Sequence, residues 1–284
     1  MKQDMPYQGL VLITDLDGTL LLPDKRLSAA DAEAIADFRA KGGLFGIATG
    51  RGLQATKEYL ALLQPDFPAI LYNGVMLYDA DAEEVRMSSR LPATVNALLE
   101  DLMGRFPDAG VELLNEEGVY VIQDGEYERM HLRITKITPV FRTLKECPAE
   151  LCCKSLCAAA EDVIDQMLAY VGRLGLTDIM ITKSNPHFLE ILPQGVSKGS
   201  ALAELRKLLP EGIKIGASGD FDNDILMLKA ADYAGCPADS QPSVLEAIAE
   251  VGGYCSEKTC ADGFFADWKE EACARYQNAA EVSG

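Results

Sequence analysis

The 284-residue sequence lacks a long hydrophobic segment and is poor in basic residues. No run reaches the roughly 18 apolar residues that a membrane-spanning helix needs, and the initial MKQDMPYQ has no signal-peptide core. Only 26 lysines and arginines stand against 44 aspartates and glutamates, so the net charge is −18. The basic surface typical of nucleic-acid or acidic-membrane binding is therefore missing. We expect a soluble, cytoplasmic protein with a small-molecule partner.

The eight cysteines lack the spacing of a zinc site. Cys152, Cys153 and Cys157 form no C-x-x-C pair and have no histidine close by in the sequence. An even number of cysteines is compatible with disulfides, but without a secretory signal we expect reduced thiols with no part in the chemistry. The apolar content of 48% is sufficient for one large globular domain or two modest ones.

Strand and helix signals alternate in the first part of the chain. Apolar strands are predicted at 10–14, 44–49 and 69–72, separated by helices that begin at Ser28 and span 53–63. Strands connected by helices of this length indicate βαβ units and a parallel sheet.

The alternation of strand and helix signals stops after residue 74 and resumes near residue 193. The middle part predicts a hairpin around 79–83, helices and short strands, with a loop around Pro139. The later part predicts further βα units, with a last helix over 262–275 that Trp268 packs onto the sheet. The fold class is therefore predicted as α/β: a doubly wound, mainly parallel sheet over 1–82 and 191–284, with an α+β domain, 83–190, inserted.

Polar residues follow the predicted strands of the first domain. Asp15 and Asp17 come directly after the first strand and project to the same side of it. Two like charges held together are unfavourable unless a cation or a reaction needs them, although an Asx-turn at a strand end is the plainer explanation. Ligands of such sheets bind beyond the carboxyl ends of the strands, where 49–51, 73–74 and 219–224 are also predicted to lie.

The segment ASGDFDND carries Asp220, Asp222, Asn223 and Asp224. Mg²⁺ prefers oxygen ligands, often one or two carboxylates with water and substrate phosphate. Asp220 suits a direct ligand that faces Asp15, and Asn223 and Asp224 suit a supporting role. Asp222 is equally suited to cap the following helix.

Two predicted helix starts offer places for a phosphate. Thr49, Gly50 and Arg51 combine backbone N–H groups, a hydroxyl and the positive end of a helix, although a plain threonine cap is also possible. Lys198 lies in the first turn of another helix, where its charge opposes the helix dipole. This position is easier to understand if Lys198 reaches a phosphate or a carboxylate.

These motifs together resemble those of the haloacid dehalogenase superfamily of phosphohydrolases, in particular its Cof-type subgroup with a large α/β cap. The matching segments are DLDGT at 15–19, TGR at 49–51, NG at 73–74, LEILPQGVSKG at 189–199 and GDFDND at 219–224. Their order, with an insert between the NG and LEILPQGVSKG segments, covers essentially the whole first domain. Phe221 departs from the glycine that is commoner in the family's GDGxND form.

The resemblance implies a Mg²⁺-dependent phosphatase. Asp15 would be the nucleophile that forms an aspartyl-phosphate, and Asp17 the general acid and base. Mg²⁺ would be bound by Asp15, Asp17 through its backbone carbonyl, and Asp220, with Asn223 and Asp224 in support. Thr49 and Lys198 would bind the phosphoryl oxygens. The substrate would be a small phosphorylated metabolite, such as a sugar phosphate or similar ester.

The sequence allows two interpretations for several residues. Gly50, Arg51, Asn73 and Gly74 are candidates for substrate binding, and Arg51 and Asn73 are equally suited to structural roles. His131, His187 and Glu190 either contact substrate beneath the cap or only pack.

The insert also leaves the reaction open to alternatives. Its cations, Arg129, Arg133, Lys136 and Arg142, either bind a second phosphate or form a solvated face. A second phosphate site would favour a phosphomutase or phosphotransferase, and a metabolite-binding regulator is a further alternative. The metabolite and the oligomeric state are not predicted.

Overall fold

The computed structural model describes residues 5–283. Its strands are β1 (Leu10–Thr14), β2 (Leu44–Ile47), β3 (Ala69–Leu71), β4 (Met76–Asp79), β5 (Glu84–Ser88), β6 (Gly110–Leu114), β7 (Val119–Gln123), β8 (Val140–Phe141), β9 (Lys154–Ala158), β10 (Ile179–Asn185), β11 (Phe188–Pro193), β12 (Lys214–Ser218), β13 (Tyr233–Cys236) and β14 (Tyr254–Cys255). Its helices are α1 (Ala29–Ala40), α2 (Leu53–Leu63), α3 (Thr94–Arg105), α4 (Glu126–Thr135), α5 (Glu161–Arg173), α6 (Lys198–Leu208), α7 (Ile225–Ala230), α8 (Pro242–Glu250) and α9 (Phe264–Ser283).

A parallel sheet with the order β14-β13-β12-β1-β2 forms the centre of the core. In its strand β1, Leu10 and Leu12 face one side while Val11 and Ile13 face the other, and all four are buried. Full burial of each such side chain contributes about 1.5–3 kcal/mol. A strand that is apolar on both faces therefore requires a layer of helices on each side.

The two helix layers bury different residues of the sheet. On one side α1, α2 and α9 supply Phe38, Leu60, Phe265 and Trp268. On the other side α6, α7 and α8 supply residues such as Leu202. A small antiparallel sheet, β3-β4-β5, continues from the edge of the core, where Ala48 forms a single parallel bridge with Ile70.

A separate six-stranded sheet has the order β10-β11-β9-β6-β7-β8 and is antiparallel except for the pair β7–β8. We call this sheet, with α3, α4 and α5, the cap. Residues of α3 and α5 cover one face of the cap sheet, and α4 lies against its other face. The register places Leu156 opposite both Glu112 and Glu190, so these three side chains share one face of the sheet.

The predicted fold class is confirmed, and β1 and α2 have the predicted bounds. The prediction is wrong between 124 and 160, where it placed only a loop around Pro139. That segment contains α4, β8 and β9. The boundaries predicted for the two domains stay a prediction.

Smaller corrections concern the ends of elements. Strand β3 stops at Leu71, and the helix expected after the ASGDFDND segment consists of a 3-10 turn, Asp222–Asp224, followed by α7. The last helix begins at Phe264 and is longer than predicted, and β14 was not predicted.

The eight cysteines are unpaired thiols, and only Cys255 is exposed. Cys147 and Cys152 lie near each other, with 3.5 Å between their sulfur atoms. Among the helices described here, none is both long enough and apolar enough to cross a membrane.

Candidate active site

A buried lysine joins two of the aspartates that the sequence analysis selected. The Nζ atom of Lys198 donates to Asp15 and to Asp224, at 2.6 Å in each case. Lys198 is fully buried and Asp15 is only 6% exposed. Ser197 caps α6 in a reciprocal pair of hydrogen bonds with Ser200, and the cap fixes the turn from which Lys198 projects. The charge of Lys198, which opposes the helix dipole, is thus paired with two carboxylates.

Asp220 completes an acidic cluster at the ends of β1 and β12. Carboxylate oxygens of Asp15, Asp220 and Asp224 lie within 4.8 Å of one another. Thr19 Oγ1 donates to Asp220 at 2.7 Å. Asp224 Oδ2 accepts the backbone N–H groups of Asp220 and Phe221, so Asp224 holds the loop closed beneath the cluster.

The protonation of this cluster reflects its burial. Burial raises the pKa of Asp15 to about 7 despite the opposing charge of Lys198, and the neighbouring Asp224 and Asp17 raise it further. Burial and the carboxylates of Asp15 and Asp224 raise the pKa of Asp220 well above its usual range. The pKa of Lys198 is raised because Asp15 and Asp224 outweigh the effect of burial. Three carboxylates face one ammonium group, and the excess negative charge favours a divalent cation.

Asp17 is held by two cations rather than by the acidic cluster. Arg51 binds it through two hydrogen bonds, Nε–Oδ2 at 2.6 Å and Nη2–Oδ1 at 2.8 Å, and Lys25 Nζ lies 2.7 Å from Oδ1. Burial alone would raise the pKa of Asp17, but these contacts outweigh it and hold the pKa below its usual range. Arg51 also lies over the ring of Tyr59, at 4.8 Å from its centroid.

The two asparagines join the remaining motifs. Asn223 Nδ2 donates to Asn73 Oδ1 at 2.9 Å, and Asn73 adopts a left-handed backbone with φ of 58°. Gly74 follows with φ of 100°, and a Cβ atom there would lie 2.1 Å from Ser197 O. Only glycine therefore fits at this position, against the start of α6. Thr49 is buried, and its Oγ1 accepts the backbone N–H of Arg51.

The cap contributes the opposite wall of the same cleft. The cleft encloses about 140 Å³ between Asp15, Asp17 and Thr49 on the core side and residues of the cap. On the cap side, Lys154 pairs with Glu190 at 2.5 Å, and both side chains are 2% exposed. Lys154 also donates to the carbonyl of Gly50 at 2.8 Å, which connects the cap directly to the core loop.

His131 lies in the same wall and is bound to a buried acid. Its Nδ1 lies 2.7 Å from Glu112 Oε1, and its ring packs edge-on against Phe188. Burial raises the pKa of Glu112 to about 7 and that of Glu128, on α4, to about 10. Burial lowers the pKa of His131 to about 4, so its imidazole is neutral near pH 7.

The candidate residues that follow the strands of the core lie together in the structure. Several candidates of the cap lie away from the cleft. Residues whose position does not support substrate contact are His187, which stacks on Tyr127, and the exposed cap cations Arg129, Arg133, Lys136 and Arg142. Their exposure supports the solvated-face interpretation. Glu190 faces the cleft. Asp222 begins a 3-10 turn, and its carboxylate accepts the hydroxyl of Ser243.

The sequence analysis missed Lys25 and Lys154 as cleft residues. Lys25 follows the first motif in an irregular segment, and Lys154 begins a strand that was not predicted. The only signal for Lys154 was a lysine beside a short apolar run, which is a weak indication of a buried cation.

Comparison with known proteins defines the class. A family model described as haloacid dehalogenase-like hydrolase matches residues 12–263. The chain belongs to this family of hydrolases, as the acidic cluster at the carboxyl ends of the parallel strands also indicates.

Individual relatives can be aligned with most of this chain. A putative phosphatase of Streptococcus pyogenes is 28% identical over 227 residues, which cover 77% of this chain and 83% of that protein. The HMP-PP phosphatase of Cronobacter sakazakii is 26% identical over 252 residues, covering 87% and 91%. A haloacid dehalogenase-like hydrolase structure from Bacteroides thetaiotaomicron shares the fold, with a TM-score of 0.74 and 21% identity over 93% of this chain and 99% of that one.

Proposed function

We propose that this protein is a Mg²⁺-dependent phosphatase that hydrolyses a small phosphomonoester through an aspartyl-phosphate. One observation carries the proposal: Asp15 lies buried at the end of β1, in one cluster with Lys198, Asp220 and Asp224. In a hydrolase of this family, such a carboxylate is suited to covalent catalysis. Relatives that carry the name phosphatase support the same reaction.

The acidic cluster fits a magnesium ion. Asp15 and Asp220 would hold the metal, with the backbone carbonyl of Asp17 as a further oxygen ligand. Asn223 and Asp224 would support it: Asn223 Oδ1 is buried without a hydrogen-bond partner within residues 5–283, and Asp224 is already committed to Lys198 and two backbone N–H groups. A bound magnesium ion would offset the repulsion between an anionic nucleophile and a phosphate dianion.

Asp15 attacks phosphorus in the first step. A bond forms between its carboxylate oxygen and phosphorus, and the bond from phosphorus to the ester oxygen breaks. The leaving alkoxide takes a proton from Asp17. In the second step Asp17 accepts a proton from water, the water oxygen binds phosphorus, and the bond to Asp15 breaks to release inorganic phosphate.

Asp17 requires a rearrangement before it donates a proton. Its contacts with Arg51 and Lys25 stabilise the carboxylate form. A substrate phosphate that attracts Arg51 and Lys25 would weaken these ion pairs and raise the pKa of Asp17. Binding of the substrate would thereby prepare the acid that the first step needs.

We infer that Lys198 and Thr49 stabilise the transferring phosphoryl group. An ammonium group has three N–H donors, and Lys198 uses two of them on Asp15 and Asp224. The third would donate to a phosphoryl oxygen. Thr49 lines the cleft beside Asp15 and contributes a hydroxyl. Positioning and charge stabilisation of this kind account for most catalysis of phosphoryl transfer.

The cap wall favours a polar leaving group. Lys154, Glu190, His131 and Ser184 offer hydrogen-bond donors and acceptors inside the cleft. Such an array suits the hydroxyl groups of a sugar phosphate or a similar ester. The relative named HMP-PP phosphatase makes that compound a second substrate to test.

The test is release of phosphate from a panel of sugar phosphates, other phosphomonoesters and HMP-PP, with Mg²⁺ or with a chelator. We expect Mg²⁺-dependent release that falls at least about 10³-fold in Asp15→Asn. The Asp220→Asn variant should need a higher Mg²⁺ concentration than the wild type for half-maximal phosphate release. The matched control in the same loop, Asp222→Asn, should keep both the rate and the Mg²⁺ requirement.

Two results would overturn the proposal. Turnover that survives in a folded Asp15→Asn variant removes Asp15 as nucleophile. Release of halide from haloacids, without phosphate release from any ester, assigns a different reaction to the same cluster.

A further inference from the structure

The cap contains a second group of buried ligand-type side chains, separate from the catalytic cluster. Glu112 on β6 and Glu128 and His131 on α4 place carboxylate oxygens and an imidazole nitrogen within 4.8 Å of one another. Glu128 and His131 are three residues apart and share one face of α4. The same Glu-x-x-His spacing supplies metal ligands in helical bundles.

The buried oxygens of this group lack partners. Glu112 and Glu128 are both fully buried. The carboxyl groups of Glu112 and Glu128 contact each other, and within the part of the chain that the structure describes no other group donates a hydrogen bond to Glu112 Oε2 or to either carboxylate oxygen of Glu128. A buried carboxylate without partners is strongly unfavourable, so these oxygens require a cation or a proton.

The local charge favours a divalent ion. The nearby Lys154 is already paired with Glu190, so the charges of these two side chains cancel. The two remaining carboxylates have no cation of their own. One shared proton would satisfy one oxygen of each glutamate and leave the second oxygen of Glu128 without a partner, whereas a metal ion satisfies both acids together.

A glycine lets α4 pack closely against β6 at this group. A Cβ atom at Gly110 would lie 2.3 Å from Cβ of Glu128. Glycine at the start of β6 therefore lets α4 lie close enough to the strand for Glu128 to reach the side of Glu112.

We propose that Glu112, Glu128 and His131 bind a divalent transition-metal ion in the cap. Imidazole together with carboxylates is a donor set of zinc, manganese, cobalt and iron sites, whereas magnesium and calcium prefer oxygen alone. The ion would tie α4 to β6 and fix the ring of His131, which lines the catalytic cleft. This site is distinct from the magnesium site of the core and does not depend on the proposed reaction.

The probe is Co²⁺ added to chelator-treated protein, because its absorption and paramagnetic NMR shifts distinguish imidazole from carboxylate and thiolate ligands. We expect one Co²⁺ to be bound by imidazole, with a hyperfine-shifted imidazole signal, both in the wild type and in Asp220→Asn, whose core metal site is weakened. Glu128→Gln and His131→Asn should weaken this binding at least 100-fold. Glu126→Gln, exposed on the same helix, and His187→Asn, the other histidine, are matched controls that should bind normally.

Each contrary outcome has a defined meaning. Absence of an imidazole signal in the wild type overturns the site and leaves a shared proton as the explanation of the buried acids. Co²⁺ binding that disappears only in Asp220→Asn assigns the metal to the core. A thiolate charge-transfer band assigns it to cysteine. Loss of the imidazole signal in His187→Asn but not in His131→Asn also refutes the proposal, and this comparison does not depend on whether Glu128→Gln folds.

Discussion

The core and the cap each bury acidic groups beside one lysine, but the acids have different hydrogen-bond and ion-pair partners. In the core, Lys198 contacts two carboxylates, and Asp224 also accepts two backbone N–H groups. In the cap, Lys154 forms its ion pair with Glu190, and within residues 5–283 the carboxyl group of Glu128 contacts that of Glu112 but accepts no hydrogen bond from another group. The acids of the core cluster thus have partners among the described residues, whereas three oxygens of the cap group accept no hydrogen bond from a donor group there.

The difference bears on both proposals. The contacts of the core cluster hold Asp15 in one orientation, as the proposed covalent catalysis requires. The cap group faces the same cleft through His131, and its unpaired oxygens require a proton or a cation. Three experiments test this comparison.

The largest effect is expected for Lys198→Met. Removal of one partner from a buried ion pair typically destabilises a protein by about 3–5 kcal/mol, because the charges left behind are uncompensated. Urea unfolding in chelator measures the change in the free energy of unfolding. Lys207→Met, on an exposed position of the same helix, is the control and should change it little. An unchanged free energy of unfolding in Lys198→Met would mean that the core cluster does not need its lysine.

A pH-dependent effect is expected for Glu128→Gln in the metal-free protein. The pKa of Glu128 is about 10 in the folded state, above its unfolded value. Its contribution to stability is therefore complete at acidic pH and is lost as the pH rises towards 10. Glutamine removes this dependence, so between pH 5.5 and 8 the variant should gain stability relative to the wild type, by up to about 1.4 kcal/mol per pH unit.

Urea unfolding of both proteins in chelator at several pH values measures this difference, with Glu126→Gln as the control. A difference that stays constant with pH would show that Glu128 is ionised in the folded protein and that the cap acids are compensated in another way.

The smallest effect is expected for Lys25→Gln. Lys25 is one of two cations on Asp17, and its side chain is 34% exposed, so solvent screens its charge. Its removal should raise the pKa of Asp17 by less than about one unit, while Arg51 keeps the carboxylate anchored. Carboxyl-carbon NMR titration of metal-free protein measures the shift, and Asp17→Asn identifies the resonance. A pKa that falls or stays unchanged would remove Lys25 from the control of Asp17.

The sequence analysis succeeded where one segment carries its own signal. Strand β1 is apolar on both faces, and α2 ends before Pro65, so their bounds follow from local pattern. The motif residues were found because each follows a recognisable strand. Their convergence followed from the parallel sheet, in which the carboxyl ends of strands share one edge.

Elements that are stabilised by partners far away in the chain were not predictable from local pattern. Helix α4 begins after Gly125 without a side-chain cap and is predominantly polar. Strand β9 begins with Lys154 and Ser155, which resemble a surface segment until Glu190 and the carbonyl of Gly50 are placed beside Lys154. Local pattern does not record such partners.

Hydrophobic periodicity and strand direction are local properties of the chain, so the parallel core, the order of its motifs and the residues at its strand ends could be predicted. The contacts of Asp17 with Arg51 and Lys25, and the cluster of Glu112, Glu128 and His131 inside the cap, became evident only in the folded chain. The physical reason is that the state of a buried charge depends on every group around it, and those groups come from segments far apart in the chain.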